Sequence, residues 1–146
     1  MDSSIKKEII MDHYLNPKNK ERVDDSRYIK VNTNNESCID NLDFYVLINN
    51  GIIEDIKFDG EACAISTSST SIMISNLIGK TIDEALEFVN NFEAMINEEE
   101  YNSDILNEAI AYDDIYKQNN RKNCALLPYK GIKKTIQEYS ENFDKN

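Results

Sequence analysis

No stretch of this sequence approaches the roughly 18 apolar residues that a membrane-crossing helix requires. The N-terminus, MDSSIKKEIIMDHY, has no apolar signal core either. Together these absences exclude a membrane-spanning role and lead to an expected cytoplasmic location. Positive charge is scarce: 16 Lys and Arg face 27 Asp and Glu, a net charge of −11. A surface of that sign repels a polyanion, which excludes nucleic acid as the expected partner. Cysteine is too sparse for a disulfide framework, and three thiols suit free sulfhydryls or metal ligands in a reducing compartment. The one histidine, His13, has no second ligand at i+3 or i+4, so its expected role is packing or partner contact. Repeats, linkers and low-complexity tracts are missing, and 146 residues are enough for one hydrophobic core. A single domain over residues 1–146 is expected.

What is present reads in order as helix, strands, helices. Residues 3–15 form an amphipathic helix that Ser3 or Ser4 can cap, with Ile5, Ile9 and His13 on one face and Asn16-Pro17 at its end. Residues 27–32 (RYIKVN) predict an edge strand. Residues 42–48 and 52–58 predict a hairpin turned at Asn49-Asn50-Gly51, because Asn-Gly accepts the positive φ values of a two-residue turn. Leu42, Phe44, Val46 and Ile48 alternate onto one face, with Ile52, Ile56 and Phe58 opposite. A helix over 65–78 stops at Gly79, and Thr81 with Glu84 makes a capping box for a helix to about Asn91. Residues 93–120 are acidic and partly helical. The last segment sets Tyr129, Ile132, Ile136 and Tyr139 on one helical stripe. Pro128, lacking an N–H, requires that helix either to kink or to start late.

The chemistry gathers around residues 58–73, FDGEACAISTSSTSIM. A strand ends there, turns through Gly60, presents Cys63 and enters a Ser/Thr-rich helix. Cys38 enters the hairpin and Cys63 leaves it, so antiparallel pairing brings both to one end of the sheet. Asp40 follows Cys38 by two residues, and Cys124 lies in a later polar segment. Three thiolates and one carboxylate make a tetrahedral donor set for zinc, with an exchangeable oxygen ligand. That set with Zn²⁺ carries a formal charge of −2, for which Arg121 and Lys122 are candidate offsets. Cys63 stands where a helix dipole favours a thiolate, and Cys38, on a loop without regular structure, is the thiol best able to swing out. There is no CxxC, and spacing alone leaves a metal site and buried small side chains as equal alternatives.

Three segments resemble the iron–sulfur assembly family of IscU, the N-terminal part of NifU, and SufU. DHYLNPKNK (12–20) is similar to the family's DHY-x-NP-x-N opening, Cys38-Ile39-Asp40 to its Cys-Gly-Asp loop, and 58–73 to its F-x-G-x-G-C-x-I-S-x-A-S-x-S-x-M segment. SufU-type members are the nearer match. The wide gap between Cys63 and Cys124 has room for their extra segment, here 93–120, and Arg121 matches their Arg-x-x-Cys. Asn123 replaces the His that IscU-type members carry before the third cysteine, and the Leu-Pro-Pro-Val-Lys signature is absent there. The departures are Ile39 and Ala62 in place of glycines, Asn35-Glu36 in place of Asn-Pro, and Pro128 within the last helix.

The resemblance implies an α+β fold: a three-stranded antiparallel sheet with helices packed on one side. It implies Zn²⁺ held by Cys38, Asp40, Cys63 and Cys124, or a [2Fe–2S] cluster on the same ligands. Cys38 would accept persulfide sulfur from a pyridoxal-phosphate cysteine desulfurase and pass it to downstream iron–sulfur assembly or apo-acceptor proteins. The protein is then either a zinc-dependent sulfurtransferase or a non-catalytic scaffold and carrier. A purely structural zinc module is the third alternative.

Overall fold

The computed structural model describes residues 1–35 and 38–144. Its elements run α1 (Ser3–Leu15), β1 (Ile29–Asn34), β2 (Asn41–Asn49), β3 (Ile52–Glu61), α2 (Ala64–Leu77), α3 (Ile82–Ile96), three short 3-10 turns between Ser103 and Lys117, and α4 (Asn119–Asp144). The sheet has the order β1-β2-β3, antiparallel throughout, as the sequence predicts. No helix among the described residues is long and apolar enough to cross a membrane.

The hairpin turns where Asn-Gly allows it, with Asn50 at φ 53° and Gly51 at φ 75°. Leu42, Phe44, Val46, Ile56 and Phe58 form the fully buried face of the sheet. One expectation fails beside the turn. Ile52 is 41% exposed, and Ile53 is buried instead. A register shift beside Leu47 and Ile48 pairs Ile48 with Ile53 and leaves an extra residue in β3. Such a bulge reverses the in–out alternation beyond it.

The helices differ at their ends from the sequence expectation. Asp2, not Ser3 or Ser4, caps α1: its carboxylate accepts the amides of Ser4 and Ile5, both at 3.0 Å. The Thr81–Glu84 capping box is present, and α3 runs on to Ile96 because Phe92, Met95 and Ile96 are still facing the core. Gly79 ends the preceding segment at φ 89°. Residues 103–117 wind as 3-10 turns rather than a regular helix. Of the two expectations for the last helix, the late start fails: α4 begins at Asn119 and runs through Pro128. It lies close on the sheet at Gly131, where a Cβ would stand 2.7 Å from the Phe44 ring.

α2 is the central helix, with every residue from Ser66 to Ile74 buried. A buried helix of small hydroxyl residues lets its neighbours approach closely, provided that each hydroxyl finds an acceptor. Thr70 Oγ1 donates to the Ser66 carbonyl at 2.7 Å and Ser75 Oγ to that of Ser71 at 3.0 Å. His13 fills a packing role against α2. Its Nδ1 lies 2.7 Å from Ser71 Oγ, which also accepts the Lys18 amide at 2.9 Å.

Candidate metal and thiol site

Asp40 immediately precedes β2 and Cys63 follows β3, and the pairing of Asn41 with Glu61 sets them side by side. The strands approach closely here. At Gly60, φ is +124°, and a Cβ would lie 2.2 Å from the Asn41 carbonyl oxygen, so no side chain fits. Asp40 is buried, with 1% exposed. Its Oδ1 accepts the Cys63 amide at 2.7 Å, and its Oδ2 accepts the Ser66 hydroxyl at 2.6 Å. Cys63 is the N-cap of α2, where its sulfur accepts the Ser66 amide at 3.4 Å. Cys38 lies in the turn before β2, its amide donating to the Asn35 carbonyl at 3.0 Å while the Asn35 amide donates to that of Asp40 at 3.0 Å. Cys124, on the second turn of α4, is 2% exposed, with Asn35 Nδ2 at 3.9 Å from its sulfur.

The four sequence-predicted ligands come together. One donor atom from each of Cys38, Asp40, Cys63 and Cys124 lies within 4.8 Å of the others. Ligands of a tetrahedral zinc sit about 2.0–2.3 Å from the metal, so a small inward movement of the side chains closes this set on one ion. The electrostatics invite a cation. Burial, then the neighbouring Cys63 and Asp40, push the Cys124 thiol well above its ordinary pKa. Burial also opposes the Asp40 carboxylate, yet donation from Ser66, the Cys63 amide and the two thiols outweighs it and holds Asp40 below the usual carboxylate range. A bound cation removes the penalty on Cys124, since metal ligation deprotonates a thiol. Cys38 and Cys63 are part-exposed, so the site opens to solvent on their side.

The departures from the glycine pattern leave this geometry intact. Neither Ile39 nor Ala62 has a positive φ, so neither position needs glycine's freedom. Ile39 instead stands 66% exposed beside the thiols. Glu36 lies outside the described residues. Arg121 is exposed one turn before Cys124, and no ion pair joins it to the ligands among the described residues. Sequence reasoning missed Ser66 and Asn35 as neighbours of the site. Ser66 had a usable signal, standing three residues after Cys63, where an N-cap residue meets its backbone partner.

The family model described as NifU-like N terminal domain matches residues 5–145 of the chain. The zinc-dependent sulfurtransferase SufU of Bacillus subtilis is 37% identical over 131 residues, covering 89% of this chain and 88% of the relative. The iron–sulfur cluster assembly scaffold protein IscU of Thermotoga maritima is 29% identical over 133 residues, 91% and 93% of the two chains. The crystal structure of the SUF-system protein FiSufU from Fervidobacterium islandicum AW-1 superposes with a TM-score of 0.84 at 35% identity, covering 88% of this chain and 94% of that one.

Proposed function

Because the chain belongs to the family of NifU-like N-terminal domains, we propose that it accepts persulfide sulfur at Cys38 and passes it on for iron–sulfur cluster assembly. The observation that carries this is the convergence of three thiols and one carboxylate, with Cys38 at the open side. Residues 1–146 act as one domain, with 93–120 as the SufU-type insertion. Cys38, Asp40, Cys63 and Cys124 hold zinc. Zinc there supplies the positive charge that keeps buried thiolates deprotonated.

The chain's own groups do the rest. The sulfur donor is the persulfide of a pyridoxal-phosphate cysteine desulfurase. The Cys38 thiolate attacks its outer sulfur, a new S–S bond forms on Cys38, the donor's S–S bond breaks, and the donor cysteine leaves as a thiolate. No electrons are gained or lost overall. Cys38 is part-exposed and outside the helices and strands, whereas Cys63 caps α2 and Cys124 is buried in α4, so Cys38 is the ligand free to leave the set and reach a partner. Arg121 and Lys122 are the nearest cations in sequence to the anionic set. The onward acceptor is a downstream iron–sulfur assembly or apo protein.

The same four ligands also suit a [2Fe–2S] cluster, and the scaffold IscU of T. maritima supports that alternative. Asn123 in place of histidine, and the segment 93–120, favour sulfur transfer. The test is metal content of anaerobically purified protein by elemental mass spectrometry, followed by mixing with a desulfurase. About one zinc per chain, stimulation of the desulfurase, and loss of that stimulation in Cys38→Ala are expected. Iron with matching acid-labile sulfide would establish the scaffold instead. Undiminished stimulation by Cys38→Ala would end the sulfur-acceptor role.

A further inference from the structure

Pro128 lies buried inside α4, four residues after the ligand Cys124. A proline has no N–H, and in a helix that N–H would bond the carbonyl of residue i−4. The Cys124 carbonyl has therefore lost its helical donor. The Ser66 hydroxyl takes the donor's place at 3.0 Å, and Ser69 Oγ bonds the next carbonyl, that of Ala125, at 2.7 Å. Yet Ser66 Oγ also stands 2.6 Å from Asp40 Oδ2. A carboxylate and a carbonyl both only accept, and a serine hydroxyl has one proton to give. Ser66 is fully buried, so the two acceptors compete for that proton.

We propose that Pro128 makes Ser66 a shared donor, and that the division of its single proton between Asp40 and the Cys124 carbonyl sets how readily Asp40 holds or releases the metal. Donation to Oδ2 draws electron density from the oxygen and keeps Asp40 in reserve. Donation to the Cys124 carbonyl leaves Asp40 the stronger ligand. Without the proline, the helix would supply that carbonyl with a donor of its own, and the balance of the Ser66 proton would shift toward Asp40. Ser66 is thus a positioning residue for the one exchangeable ligand, and Pro128 gives it a second acceptor beside another ligand. This rests on zinc occupying the four-residue site.

The test uses the full chain with Ser66→Ala, Pro128→Ala and the double variant. Zinc loss to an excess of chelator is followed with time, and thermal unfolding of the metal-free proteins is recorded separately. Ser66→Ala is expected to slow zinc loss by about tenfold, similar in size but opposite in sense to the loss of affinity usual when a partner of a ligating group is removed. Pro128→Ala should speed it by a similar factor, and should have no effect in the Ser66→Ala background. A merely structural role would make both single variants lose zinc faster, and that result, or independent effects in the double variant, would overturn the proposal. So would the reverse pair of signs, which would make Ser66 a donor that fixes Asp40 as a permanent ligand. In the metal-free melts, Ser66→Ala should lower the midpoint by stranding the Cys124 carbonyl and taking a donor from Asp40, and adding Pro128→Ala should recover the carbonyl's share of that loss. Uncoupled melts would overturn the proton sharing, whereas a parent protein without zinc would overturn the metal assignment alone.

Discussion

Gly60 decides whether the ligands can meet. It holds φ at +124° with its Cα against the Asn41 carbonyl, one residue from Asp40 in sequence, and the chain reaches Cys63 three residues later. A methyl group at Gly60 meets backbone, which cannot yield as a flexible side chain does, and the φ value adds strain of its own. Gly60→Ala is expected to cost about 2–3 kcal/mol in chemical denaturation and to reduce zinc per chain, because separating the strand ends separates Asp40 from Cys63. Ala62 is the contrast. It stands where the family pattern has glycine, but without a positive φ. Ala62→Gly should therefore cost less than about 1 kcal/mol and leave zinc content unchanged. Equal losses from the two substitutions would mean that backbone mobility at this end of the sheet, not the close approach at Gly60, governs the site.

Among the elements, α2 is where site and scaffold join, and α1 is tied to it through one buried side chain. His13 lies against Ser71 of α2, and its Nε2 is 3.3 Å from Glu108 in the 3-10 segment. Lys6 adds ion pairs to Asp113 and Asp114 of the same region. The buried contact should outweigh the partly exposed pairs. His13→Ala is expected to lower stability by about 1–3 kcal/mol and to speed amide exchange through α1, while Glu108→Gln leaves exchange nearly unchanged. Equal exchange in both would place the anchor elsewhere. This tie was only half readable in the sequence, which marked His13 as packing but could not name Ser71. Local rules found what local chemistry fixes: Asn-Gly gave the hairpin, Thr81 and Glu84 the capping box, and the apolar alternation the sheet face up to Leu47. They failed where tertiary contacts decide. The bulge that buries Ile53 in place of Ile52 depends on pairing across strands. α4 continues through Pro128 because a hydroxyl of another helix, on Ser66, takes over the Cys124 carbonyl that the proline leaves without its donor, with Ser69 bonding the Ala125 carbonyl beside it. The four ligands were readable as residue types on a family pattern, whereas the hydroxyl binding Asp40 to Cys124 required the fold.

At the scale of the whole molecule, the metal site lies at the edge of the hydrophobic core. The core gathers the inner sheet face with α2, α3, the 3-10 segment and α4, from Val31 to Ile136; Cys124 is buried beside its Ala125, and Cys38, Asp40 and Cys63 lie outside it. Hydrophobic burial on that scale is the dominant stabilising term in folding and does not depend on an ion. The ligands instead come from the turn before β2, the start of α2 and the start of α4, so a bound metal cross-links segments that the core already holds near one another. Chelation is therefore expected to lower the thermal midpoint, by linkage to binding of the folded state alone, while the helical circular dichroism signal and cooperative unfolding persist. The metal-free protein should then recover zinc on its addition without refolding. A sulfur acceptor needs this independence, because Cys38 must leave the set during transfer while the other ligands keep their places. Loss of helical signal on chelation would identify a structural zinc module, in which the ion takes part in folding, and would remove the basis for transfer through Cys38.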